Sequence, residues 1–325
     1  MRFVLRRGVF YLFTAWAAIT INFIIPRLMP GDPVKAIMAQ MQGRIPAEAE
    51  QSLRVLLGLD ENLSLWDQYV IYWRLLFQGD LGVSFKFLTP VADIVAQTLP
   101  WTIGLVGIAT IIAFVVGTLV GVGIGWRRGT WADSLVPIST FFSSVPYFWL
   151  ALIAIWVFSV TLGWFPSNGS YDRSLIPTFS FEFIGSVIWY GFLPAMTIIV
   201  ASIAGWILGM RNMMVTVSSD DYVTVAHAKG LSGRAVMFGY AARNAILPQI
   251  SSFALSLGFI VGGTLVMEMV FSYQGIGYTL YQAVNTHDYP LMQGCFLVIT
   301  LAVLLANLLA DVVYAFLDPR TRQEG

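Results

Sequence analysis

The side chains able to do chemistry are few in this 325-residue chain and stand far apart. There are two histidines, His227 and His287, and one cysteine, Cys295. A single cysteine excludes an internal disulfide, and its place in a long apolar run reads as packing. No Cys or His cluster has the spacing of metal ligands. A glycine-rich loop ending in Gly-Lys-Ser/Thr, which would cradle nucleotide phosphates, is missing, so this chain should not itself hydrolyse ATP. No catalytic, cofactor-binding or metal-binding residue is expected. Two acids stand inside apolar runs, Glu268 near the end of the fifth and Asp311 in the sixth. A charge at the centre of a membrane helix costs about 2.5–3.5 kcal/mol on insertion scales, so each needs a reason. A proton site is one reason; a satisfied polar contact with a neighbouring helix or subunit is the other, and it is favoured.

The most informative stretch is polar and lies between two apolar runs: DYVTVAHAKGLSGRAVMFGYAARNAILP, Asp221 to Pro248. Ser219, Asp220 and Asp221 suit a helix N-terminus and its partial positive charge. Lys229 favours the negative end of that helix, and Gly230 can take the left-handed turn that stops it. Ser232 can cap a second helix running towards Pro248. The expectation is a short helix, a sharp glycine turn and a second helix leading back into the membrane.

The surrounding elements follow from composition. The chain is 57% apolar and 11% charged, with a mean hydropathy of +0.74. That is too apolar for a soluble domain and fits a polytopic, all-α membrane protein. A bilayer core about 30 Å thick needs roughly 20 apolar residues per helix. Six runs qualify, approximately 9–29, 100–125, 136–163, 187–210, 248–270 and 291–317. Net charge is zero and gives no sign of nucleic acid; the distribution of charge is more telling. Arg2, Arg6, Arg7, Arg127, Arg128, Arg211, Lys229, Arg234, Arg243, Arg320 and Arg322 fall on one side of a six-span chain. The other side has Arg173 in its second loop, no Lys or Arg in its third and five in its first. That first loop is long, and long loops are largely exempt from the positive-inside rule. Both termini are therefore expected in the cytoplasm, with Asp221–Pro248 on the same side. Arg2, Arg6 and Arg7 before an apolar run imitate a signal peptide, but the run is long and no small-x-small site follows. It reads as an uncleaved first transmembrane helix. The expected organisation is a segment 1–30 with that helix, an extracytoplasmic loop region 31–98, and a five-helix core 99–325 containing the cytoplasmic loop 211–248.

Further signals are weaker. RLMPGDP, Arg27 to Pro33, makes a rigid turn out of the membrane, with Arg27 able to snorkel to the headgroups. Trp66, Tyr69, Val70, Trp73 and Leu76 suggest an amphipathic helix against the membrane or the protein's outer face. Gly117, Gly121 and Gly125 recur every fourth position, a device for close helix packing in lipid. Pro146 and Pro194 are expected to kink the third and fourth spans. Gly275 and Gly277 would supply backbone freedom to an outward or re-entrant loop.

The Asp221–Pro248 stretch resembles the EAA loop of membrane subunits of ATP-binding-cassette (ABC) importers. More narrowly, it is similar to that of the B-type permease of the oligopeptide, dipeptide and nickel (and related oligosaccharide) uptake family. Tyr222, Ala226, Ala228, Lys229, Gly230, Leu231, Arg243, Asn244, Leu247 and Pro248 match; Asp221 fills an acidic position, and His227 replaces the usual arginine. Similar blocks recur in order at RLMPGDP, at GDLGVSF (Gly79 to Phe85), at Gly263 to Gly294 with DYPL-x-QG at Asp288, and at Asn307 to Arg322. The resemblance implies a six-helix type I importer permease forming half of a translocation path in a prokaryotic inner membrane. It implies as partners a second homologous permease, two ATP-binding-cassette ATPase subunits or domains carrying ATP and Mg, an extracytoplasmic solute-binding protein and membrane lipids. No cofactor would be bound by this chain itself. The ATPase-coupling loop would comprise Asp221, Tyr222, Ala226, Ala228, Lys229, Gly230, Leu231, Arg243, Asn244 and Pro248. Oligopeptides are favoured as the cargo over oligosaccharides; an ion-coupled carrier is the alternative of another class.

Overall fold

The computed structural model describes residues 2–28, 63–127, 129–258, 260 and 265–317. Parts of the blocks singled out above lie outside these residues: the turn following Leu28, Arg128, Gly263, and Asp318 to Arg322. Among the described residues the regular elements are helices, joined by turns and loops, with one isolated bridge between Val83 and Pro90. In chain order the helices are α1 (Arg2–Leu28), α2 (Leu65–Phe77), α3 (Val91–Trp126), α4 (Leu135–Ser144), α5 (Tyr147–Ala154), α6 (Phe181–Val217) and α7 (Asp221–Ala228). They continue with α8 (Gly233–Val236), α9 (Arg243–Ala245), α10 (Leu247–Gly258), α11 (Leu265–Val270), α12 (Ile276–Asn285) and α13 (Tyr289–Leu317).

Among the described residues four stretches are long and apolar enough to cross a membrane: Arg7–Ile25, Val91–Trp126, Phe181–Val217 and Tyr289–Leu309. A fifth candidate, Val136–Ser144 followed by Tyr147–Thr161, is bent by 93°. The bend falls at Pro146, which has no N–H to continue α4 and instead opens α5 from an extended backbone. The expected kink at this proline is thus a break. Pro194 behaves differently, since α6 runs through it as one helix. The window 248–270 holds α10 and α11, with most of the residues between them outside the described set.

The chain divides into two compact units, Met1–Trp101 with Gln274–Leu304, and Thr102–Tyr273 with Leu305–Gly325. In the first, α1 is tied to α2 and α13 by polar contacts. Thr20 and Tyr69 hydroxyls meet at 2.7 Å, and Asn22 donates from Nδ2 to the Gln293 carbonyl at 2.9 Å. Phe23 sits against both Tyr69 and Tyr72. The amphipathic pattern of α2 therefore has two uses. Tyr69 and Tyr72 face α1, whereas Leu65, Trp66, Val70 and Phe77 are exposed.

In the second unit, α3 and α6 touch along a seam of small residues. A Cβ added at Gly117 would meet Trp206 Cβ at 2.6 Å, one at Gly121 the Ile207 carbonyl oxygen at 2.7 Å, and one at Gly125 Met214 Cβ at 2.6 Å. Real side-chain carbons do not approach so closely, so only glycine permits this spacing. Buried Ala109 and Ala113 extend the seam on the same four-residue period and pack against Ile199. The glycine repeat was legible as a packing device; its partner helix and its alanine extension are what the fold supplies.

Candidate coupling site

The polar stretch folds as anticipated, with sharper detail. α7 starts at Asp220, whose extended backbone (φ −73°, ψ 147°) makes it the N-cap, although its side chain makes no capping bond. The helix stops at Gly230, which adopts φ +75°. There the Gly230 N–H bonds the His227 carbonyl at 2.9 Å and the Leu231 N–H reaches Ala226 at 3.4 Å. This pair of bonds is the Schellman closure, which satisfies carbonyls that a helix end leaves open. Ser232 then begins the next helix by accepting the Ala235 N–H on its hydroxyl at 3.4 Å. Beyond α8 the chain widens into a π-helical segment, Met237–Ala242, before α9 and α10.

Helical phase separates a holding side from a free side. Val223 and Ala226 are buried with Val122, Met210, Met214, Val236, Ala241 and Ala245, which moor α7 to the ends of α3 and α6. Val225 lies about 200° around the helix from Val223, and it is 51% exposed. Tyr222, Val225 and Lys229, at spacing i, i+3 and i+7, form an exposed stripe, with Leu231 also exposed just past the turn. Among the residues matched in sequence, Ala226 therefore belongs to the chain's own packing. Asp221, Tyr222, Ala228, Lys229, Gly230, Leu231, Arg243, Asn244 and Pro248 are open to solvent. Val225 was missed, yet the signal was present: two valines two positions apart cannot share one helix face.

The second half of the motif returns to the first. Partial desolvation raises the Tyr222 phenol above its ordinary value, a hydrogen bond with Asn244 opposes this, and Asp220 reinforces it. Asn244 also donates to the Tyr240 carbonyl at 2.9 Å. His227 stacks on Trp126, with ring centroids 5.9 Å apart and planes 20° from parallel. Arg234 and Arg243 are exposed and Arg211 is half-buried. What results is a short, well-stopped helix held on one side and presented on the other, with no nucleophile and base brought together.

The remaining candidates lie elsewhere in the fold. Glu268 is fully buried and accepts the Thr102 hydroxyl at 2.6 Å. Asp311 is half-buried on α13 and has an interaction partner. Gly275 and Gly277 do not use left-handed freedom: Gly275 is the extended N-cap of α12 and Gly277 lies buried within it. The left-handed residue of that block is Ser272 (φ 46°), which closes α11 by a Schellman pair, Ser272 N–H to Met269 and Tyr273 N–H to Glu268. His287 (φ 53°) does the same for α12, with bonds to Val284 and from Asp288 to Ala283. Asp288 then caps α13, its carboxylate accepting the Leu291 N–H, the Lys86 N–H and the Ser84 hydroxyl. Among the described residues no three His, Cys, Asp or Glu side chains form a group able to hold a metal ion.

Residues 113–323 match the model of the binding-protein-dependent transport system inner membrane component. A permease protein of Brucella abortus (strain 2308) is 35% identical over 318 residues, covering 94% of this chain and 93% of the relative. The dipeptide transport system permease protein of Alkalihalophilus pseudofirmus is 31% identical over 316 residues, 93% of each chain. The di/tripeptide transport system permease protein of Pseudomonas aeruginosa (strain UCBPP-PA14) is 33% identical over 338 aligned positions, covering 100% of this chain and 99% of the relative. A multi-pass apolar chain with a stopped, one-sided polar helix and these relatives has one family: it belongs to the binding-protein-dependent transport system inner membrane components, the permease subunits of ABC importers.

Proposed function

We propose that this permease forms half of a translocation path for short peptides, paired with a second homologous permease and driven by two ATPase subunits or domains. The observation that carries the coupling reading is the division of α7 into a moored side, Val223 and Ala226, and an exposed stripe, Tyr222, Val225 and Lys229. A groove in one ATPase would receive that stripe, and closure of the ATPase pair on ATP would move α7. Because Val223 and Ala226 share one core cluster with Met210, Met214 and Val122, displacement of α7 would be passed directly to α6 and α3. ATP and Mg would stay on the ATPases, with no cofactor on this chain.

In this reading both termini and α7 face the cytoplasm, and an extracytoplasmic binding protein delivers cargo to the opposite face. Six spans are inferred, with α10 and α11 as two parts of the fifth. Peptide cargo is supported by relatives named for dipeptide and di/tripeptide transport that align over almost the entire chain. The test is to purify the tagged chain gently from its native membranes, identify what accompanies it, and reconstitute the assembly in liposomes. Recovery of a second permease, Walker-motif ATPases and ATP-dependent uptake of di- or tripeptides is the expected outcome. Uptake of oligosaccharides but not peptides would overturn the cargo, and ATP-independent transport by this chain alone would overturn the mechanism.

A further inference from the structure

Within the first unit lies a cavity of about 270 Å³ whose wall is partly polar and partly apolar. Arg27, Gln68 and Tyr72 supply the polar part; Ile71, Leu75 and Leu297 are among its apolar residues. Arg27 stands just past the end of the apolar stretch Arg7–Ile25, where the bilayer's hydrocarbon gives way to headgroups. Its side chain is already oriented. Nε donates to Gln68 Oε1 at 3.2 Å, one terminal nitrogen donates to the Phe23 carbonyl at 2.8 Å, and the guanidinium carbon lies 3.6 Å over the Phe23 ring. Both acceptors are neutral, and among the described residues no carboxylate pairs with Arg27. Asp80 also borders the cavity and keeps its charge; its Oδ1 accepts the Gly82 N–H at 2.8 Å, which directs the carboxylate into its own turn and not to Arg27.

A half-buried guanidinium with neutral partners keeps donors for an anion, and its planar fork suits a phosphodiester better than a point charge would. The apolar wall argues for what else the anion carries. Tyr69 of α2 meets Thr20, seven residues before Arg27 on α1, which is about 10 Å down the helix axis. So α2 packs beside α1 within the apolar stretch, and Leu65, Trp66, Val70 and Phe77 on it are exposed. A soluble anion would gain nothing from the cavity's apolar wall of Ile71, Leu75 and Leu297; an acyl chain would.

We propose that this cavity seats one anionic phospholipid of the leaflet in which α1 ends, its phosphate on Arg27 and an acyl chain along Ile71, Leu75 and Leu297. This site is separate from the coupling helix and does not depend on the identity of the cargo. The test is native mass spectrometry of the purified, delipidated importer complex titrated with phosphatidylglycerol or phosphatidylcholine. The wild type should retain one phosphatidylglycerol with about ten-fold preference, the size expected for a charge-assisted hydrogen-bonded pair. Arg27→Gln should bring the two lipids close to parity, and Arg27→Lys should keep part of the preference. Leu75→Trp fills the apolar wall while leaving Arg27 in place, so it should weaken retention of both lipids in an intact complex. Millimolar inorganic phosphate should not displace the lipid. Equal phosphatidylglycerol occupancy in wild type and Arg27→Gln, displacement by inorganic phosphate, or no retained lipid in the wild type would each overturn the proposal.

Discussion

Ser84 and Asp288, 204 positions apart, are joined by a buried hydrogen bond of 2.5 Å from the Ser84 hydroxyl to the carboxylate. The same carboxylate holds the Lys86 and Leu291 N–H groups, so one side chain ends the 79–91 turn and begins α13. Asp288→Ala would leave these donors buried without their acceptor. A loss of about 3 kcal/mol or more in stability is expected, against about 1.5 kcal/mol for Ser84→Ala. Thermal unfolding of the two variants in detergent checks the order; equal midpoints would mean that the carboxylate is not the shared anchor.

The α3–α6 seam makes a sharper contrast. Gly121 has no room for a Cβ, whereas Gly123 on the same helix has nothing within 4 Å. Gly121→Leu should cost more than the usual 1–3 kcal/mol of overpacking, because the obstruction is backbone as well as side chain. Gly123→Leu should be nearly neutral. The yield of folded protein and its unfolding midpoint measure both.

Gly230 has open space around its Cβ position but a φ of +75°. The penalty of a substitution there is therefore conformational, about 1–2 kcal/mol for a residue with a Cβ. Gly230→Val should lower peptide uptake relative to ATP hydrolysis by displacing Leu231 and α8, while Gly230→Asn, which tolerates the left-handed region, should lose much less. Unchanged uptake per ATP in Gly230→Val would count against α7 as the transmitting element.

His287 occupies the same kind of position with a side chain that does not favour it. His287→Gly should raise stability by about 1 kcal/mol, visible as a higher unfolding midpoint. A fall would show that the imidazole makes contacts outweighing the strain.

Glu268 and Asp311 bear on the choice between ATP-driven and proton-coupled uptake. The Thr102 hydroxyl that donates to Glu268 can donate equally to an amide oxygen, so Glu268→Gln keeps the bond. The double variant with Asp311→Asn should transport with the same insensitivity to the proton gradient as the wild type. If the wild type shows a proton dependence that the variant loses, the carrier reading gains.

What the sequence determined by itself is local. Apolar run lengths set the membrane class, Gly230 and Ser232 announced the stop and start around α7, and the Gly117–Gly125 period announced a close helix contact. Each signal rests on backbone freedom, capping chemistry or periodicity, which neighbouring residues dictate. The tertiary structure decided the rest. It made α6 the partner of the glycine seam, returned Asn244 to Tyr222, turned Ala226 inward and left Val225 outward. It gave left-handed stops to Ser272 and His287, where a sequence reader looks for glycine and reads the nearby Gly275 and Gly277 instead. It also made Asp288 the anchor of a turn some two hundred positions away. Such roles are invisible in the chain because a carboxylate or a histidine carries no mark of its distant partners; packing alone selects which donors arrive and which strained backbone is worth keeping.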